Sequence, residues 1–106
     1  MAWFSLIIAG ILEIVWAFSM KQSEGFTKIG ASVVTITTVI ASFILLSYSM
    51  KSLPLGTAYT IWTGIGAVGA FAVGIAFLGE PAGMLRVLAA IMIIGGLLLM
   101  KFSSVA

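Results

Sequence analysis

The chain has 106 residues, of which 62% are hydrophobic and 8% are charged, and its net charge is +2. A soluble domain of this size would expose far too much apolar surface, and the sparse basic residues do not form a nucleic-acid-binding surface. The chain contains no histidine and no cysteine, so the commonest metal ligand, the usual general base and all thiol chemistry are missing. We therefore expect an integral membrane protein in a lipid bilayer, without catalytic residues, enzymatic activity, bound metal or cofactor.

Charged residues divide the chain into apolar runs of about 18 to 25 residues, the length that a helix needs to cross a bilayer. The first connection, "KQSEGFTK" (21–28), is polar, the second, "KSLPLG" (51–56), contains the proline and glycine of a tight turn, and the third is "GEPAGM" (79–84). We predict an all-α fold with one transmembrane domain over residues 1–106. Its four helices are predicted at about 3–20, 29–50, 57–78 and 85–102.

The basic residues give almost no preference for one orientation in the membrane. With four spans, one side of the membrane holds Lys51 and Lys101, and the other side holds Lys21, Lys28 and Arg86. The positive-inside rule needs a larger bias than two against three to fix the topology. Either the topology is not readable from sequence, or the chain inserts in both directions.

The first predicted helix carries a carboxylate, Glu13, roughly ten residues from its start, or about 15 Å along the axis. A short side chain does not reach the interface from that depth, and ionisable groups inside the membrane usually mark ion or proton pathways. The alternative is a carboxylate in a fixed structural ion pair. All five basic residues flank the spans, however, so we predict that Glu13 binds a proton or a cation.

Two neighbours of Glu13 share its face of the helix. Gly10, at i−3, lets another helix approach closely. Trp16, at i+3, is too deep for the interfacial aromatic belt, and its indole N–H is a donor that can orient the carboxylate. We predict that both contribute to the site.

The second and third helices supply further candidates. Ser42 lies at mid-depth, where it either is a partner of the Glu13 carboxylate or forms a hydrogen bond that holds two helices together. Tyr59 and Trp62 are spaced i, i+3, and Gly66 follows Trp62 at i+4. An aromatic wall near a carboxylate is suited to an organic cation. Tyr59, near a helix start, can equally be an interfacial anchor.

Small residues in the last two helices suggest close packing. Gly64 and Gly66 offer a bending point, a close helix contact, or both. The fourth helix has no polar residue between Arg86 and Lys101, so we expect it to serve association, either within one chain or between chains.

Three helices around one carboxylate form only half of a cavity, and four spans contain no inverted repeat of the kind that many transporters use. Two copies inserted in opposite directions would supply that repeat and bring two Glu13 side chains to one site. Competition between a proton and a cation for this site, together with alternating access, would couple cation export to proton entry.

The chain resembles the small multidrug resistance family over essentially its whole length. The similarity includes Glu13, "KQSEGFTK", "KSLPLGTAYTIWTGIGAVG" and the short fourth helix. "EIVWAFSMK", which contains Trp16, together with "GEP" and Lys101, resembles the guanidinium-exporting subtype.

This resemblance implies an antiparallel, dual-topology homodimer in the bacterial inner membrane. It implies exchange of guanidinium ion, or small substituted guanidiniums, for protons at Glu13. Trp16, Ser42, Tyr59 and Trp62 would line the site. Two alternatives remain: a broad-specificity multidrug antiporter of the same family, and, in a different class, a passive channel or membrane scaffold.

Overall fold

A computed structural model describes residues 1–103, and that part of the chain is all-α. Each helix is long and apolar enough to cross a bilayer, which confirms the predicted four-span fold. The helices are α1 Ala2–Gln22, α2 Ile29–Ser49, α3 Leu55–Leu78 and α4 Met84–Ser103.

Helix α3 begins earlier than the sequence analysis placed it. Pro54 is the N-cap residue, with φ −59°, so the helix starts at Leu55 and Gly56 lies in its first turn, not in the connection. The helix continues without interruption to Leu78 and ends at Gly79, whose φ of 68° is left-handed. The glycines inside α3 therefore leave the helix continuous, and they are available for close packing.

Helix α1 packs along both α2 and α3, whereas α2 and α3 meet at few positions. Helix α4 packs mainly on α3, contacts α1 where Lys101 Nζ lies 4.4 Å from the centre of the Trp3 ring, and buries none of its own residues. The described chain measures 43 × 34 × 16 Å, so it is close to one layer of helices thick. In a layer this thin, the cavities between the helices remain open on at least one side.

Hydroxyl groups hold α1 and α2 together along this apolar layer. The hydroxyls of Ser19 and Thr35 are 2.7 Å apart, and Thr35 also donates to the Ala31 carbonyl. Such bonds are stable in lipid because no water competes for the groups. The buried apolar core is small and consists of Leu6, Ala9, Leu46, Leu53, Ala58, Ile61 and Trp62.

Candidate functional site

The candidate site lies where α1 crosses α3, and glycine positions allow the two helices to approach closely. A Cβ atom at Gly10 of α1 would lie 2.7 Å from Ile65 Cγ2 of α3, which is too close for two carbon atoms. A Cβ at Gly69 of α3 would overlap the side chain of Ile14. Each helix therefore inserts a side chain into a glycine gap of the other, which fixes the register of the pair.

Glu13 occupies a third gap of this kind. Its side chain packs directly on Gly66, where any Cβ would overlap the carboxyl group. The Glu13 Oε1 atom is buried and has no hydrogen-bond partner within residues 1–103. A buried polar atom without a partner is costly, so this oxygen is a strong candidate for binding a proton or an external donor.

Ser42 links three helices at one point. Its hydroxyl donates to the Ala9 carbonyl of α1 at 2.8 Å and accepts a hydrogen bond from Trp62 Nε1 of α3 at 3.0 Å. Of the two roles left open for Ser42, the structure therefore shows the hydrogen bond between helices, and the serine does not contact Glu13 through a hydrogen bond. This bond fixes the indole of Trp62.

The predicted aromatic wall is present and includes a ring that the sequence analysis missed. The Trp62 ring lies 5.7 Å from Tyr59 and 5.5 Å from Phe43, between ring centroids. Trp62 is buried, whereas Tyr59 is 53% exposed. Phe43 comes from α2, and the helical spacing within α3 gives no signal for it.

Trp16 does not orient the carboxylate through a hydrogen bond in this structure. Its Nε1 is buried and has no partner in the described chain, and its side chain packs against the apolar core. Trp16 shares a helical face with Glu13, but this does not produce a hydrogen bond between them, because the glutamate side chain packs on Gly66 of the neighbouring helix. Helix α1 therefore carries two buried polar atoms without a partner in the described chain, the donor Trp16 Nε1 and the acceptor Glu13 Oε1.

Gly64 serves a different contact from Gly66. A Cβ at Gly64 would overlap Leu97 of α4, so this glycine allows α3 and α4 to approach. Successive glycine positions of α3 thus receive side chains from different helices, Gly64 from α4 and Gly66 from α1. Both are packing positions, and Gly66 additionally positions Glu13.

Comparison with known proteins places the chain in a family. The family model described as "Small Multidrug Resistance protein" matches residues 1–104. Similar proteins include the guanidinium exporters of Yersinia pestis and Escherichia coli (strain K12), each 49% identical, and that of Salmonella typhimurium (strain LT2), 50% identical. Each match extends over 104 residues, 98% of this chain and 99% or more of the relative. The protein is therefore a multi-pass protein of the bacterial inner membrane, and it belongs to the small multidrug resistance family.

Proposed function

We propose that this protein exports guanidinium ion in exchange for protons, and that both ions bind to Glu13. The observation that carries the proposal is the buried, unpartnered Glu13 Oε1 at the crossing of α1 and α3. Relatives named guanidinium exporters, about half identical over nearly the whole chain, support the choice of substrate.

The chemistry of the site is suited to a guanidinium ion. The ion is planar and carries several N–H donors, so it can form two parallel hydrogen bonds with one carboxylate. The unpartnered oxygen of Glu13 is an acceptor of the required kind. The rings of Trp62, Tyr59 and Phe43 offer aromatic faces for a cation on the α2 and α3 side of the layer.

Coupling to protons follows from the use of one carboxylate for two ions. A protonated Glu13 is neutral and loses its charge attraction for guanidinium, whereas a bound guanidinium excludes the proton. If the site faces one side of the membrane at a time, each ion leaves only when the other can replace it, which produces exchange.

The proposal includes a second copy of the chain in the opposite orientation. The described chain is only 16 Å thick in its narrowest dimension, and α4 buries none of its residues. A second copy would cover the open side of the site and supply the inverted repeat that a single chain lacks. The nearly balanced basic residues on the two sides of the membrane are compatible with insertion in both directions.

The test is a transport current from purified protein in liposomes after addition of guanidinium. The Glu13→Gln variant keeps the size of the side chain but removes the negative charge, so we expect no substrate-driven current. Glu24→Gln is the matched control, because Glu24 lies in an exposed connection where it pairs with Lys28 at 2.6 Å. A substantial current from Glu13→Gln would contradict the proposal.

The same liposomes separate the alternative functions. A multidrug exporter would respond to tetraphenylphosphonium as strongly as to guanidinium, whereas we expect little response to the bulky cation. A passive channel would conduct without saturation and without proton movement. A scaffold would give no current in either the wild type or the variant.

A further inference from the structure

A second carboxylate, Glu80, also packs on α3. Gly79 ends the helix in the left-handed conformation, with φ 68°, and the Glu80 backbone N–H donates to the Gly74 carbonyl at 3.1 Å. This connection turns the Glu80 side chain back onto the helix. A Cβ at Gly74 would overlap the Glu80 carboxyl group, so the glycine provides the space that the carboxylate occupies.

Glu80 and Glu13 are placed along the same row of α3. Gly66, which contacts Glu13, and Gly74, which contacts Glu80, are eight positions apart with Ala70 between them. This i, i+4, i+8 row winds only gradually around the helix. At 1.5 Å per residue, eight residues place the two contacts about 12 Å apart along the axis.

A cavity of about 180 Å³ lies along this row. It is lined by α1 and α3 residues that include Ala17, Ala70 and Gly74, whose small size leaves space between the helices, and by the charged residues Lys21 and Glu80. Ala17 is one helical turn from Glu13, and Ala70 is one turn from Gly66. The cavity therefore extends from the Glu80 end of the helices to residues one helical turn away from Glu13 and Gly66, which do not line it themselves.

The electrostatics of this end of the cavity favour a cation. The carboxyl end of a helix carries partial negative charge, and the Glu80 carboxylate adds to it at the end of α3. Within the described chain, Lys28 and Glu24 form the one ion pair with a nitrogen–oxygen distance of 4 Å or less. No basic nitrogen therefore lies within 4 Å of the Glu80 carboxylate. Lys21 nevertheless lines the same cavity, so its positive charge repels an incoming cation.

We propose that Glu80 is an outer cation-binding site, at which guanidinium binds on its way to Glu13, and that Lys21 opposes this binding. The inference rests on the proposed function, since it gives that function an entry site. A guanidinium ion can pair with the carboxylate and donate to the free carbonyl groups at the end of α3. Glu80 binds and concentrates the substrate, whereas Glu13 exchanges it for a proton.

The experiment compares the KM and kcat of guanidinium-driven transport in liposomes for the wild type, Glu80→Gln, Lys21→Met and the control Glu24→Gln. Loss of one attracting charge should raise KM about threefold to tenfold in Glu80→Gln without lowering kcat. Lys21→Met should lower KM, and Glu24→Gln should leave it unchanged. The difference between Glu80→Gln and wild type should shrink at high salt, because the attraction is screened.

The outer site is refuted if Glu80→Gln has the same KM as Glu24→Gln, or if its effect is a fall in kcat at unchanged KM. If Glu80→Gln does not assemble, Lys21→Met decides: a lower KM supports the outer site, and an unchanged or higher KM refutes it. A wild type that does not respond to guanidinium would refute the proposed function separately, because the same KM ratios can be measured with whichever cation drives a current.

Discussion

Replacing Gly66 with alanine should displace the binding carboxylate while leaving the fold intact. The added Cβ would lie 2.7 Å from Glu13 Cγ and would overlap the carboxyl group beyond it. Carbon atoms pack at about 3.5–4.0 Å, so the glutamate side chain must move by about 1 Å. Because the obstructing atoms are the far end of a flexible side chain, this movement costs little stability and mainly changes the position of the carboxylate.

The displaced carboxylate should lose one of the two hydrogen bonds to guanidinium. A hydrogen bond to a charged group contributes about 1.5–3 kcal/mol, which corresponds to a Kd about tenfold to a hundredfold higher. Titration calorimetry of guanidinium binding to purified protein measures this change. Gly30→Ala is the control, because a Cβ there meets nothing within 4 Å. A Gly66→Ala protein that folds and binds guanidinium with wild-type affinity would refute the close contact between α1 and α3 as the feature that positions the carboxylate.

Three further predictions concern hydrogen bonding, helix packing and pH. Ser42→Ala removes the acceptor of the Trp62 N–H and should lower the free energy of unfolding, measured in a denaturant titration, by about 1 kcal/mol. The control Ser47→Ala, on an exposed part of the same helix, should leave this free energy unchanged. Gly64→Ala places a Cβ 3.0 Å from Leu97 Cγ, with closer overlap at a methyl group. Because this pushes α4 away from α3, the same titration should show a free energy of unfolding lower by about 1–3 kcal/mol. Guanidinium binding should weaken by about tenfold for each pH unit below the point where the binding carboxylate is protonated, because protonation removes its charge; calorimetry over a pH series measures the slope.

The helices of this protein are readable from sequence because the bilayer imposes their length and excludes charge from their interiors. The position of Glu13 is informative for the same reason, since a carboxylate at that depth needs a partner, and every basic residue lies in the first or last turn of a helix or in a connection. The error at the start of α3 arose because Gly56 was assigned to the turn. Pro54 already provides the helix start, and a glycine is tolerated in the first turn that follows.

The contacts between helices could not be predicted from the sequence, because they depend on the register of α1 against α3. Spacing along one helix places Trp16 near Glu13, yet Gly66 of another helix determines where the carboxylate packs. The same limit applies to Ser42, whose depth was predicted but whose bonds to the Ala9 carbonyl and to Trp62 depend on how three helices meet.

Proton release on substrate binding tests the shared use of Glu13 most directly. Guanidinium is added to purified protein in weakly buffered detergent solution, and the released protons are followed with a pH indicator, with Glu24→Gln and Glu13→Gln measured in parallel. We expect proton release from the wild type and from Glu24→Gln, largest at a pH where the binding carboxylate is mostly protonated, and none from Glu13→Gln. Guanidinium binding to the wild type without proton release across the pH series, or equal release from Glu13→Gln, would contradict the binding of both ions to Glu13.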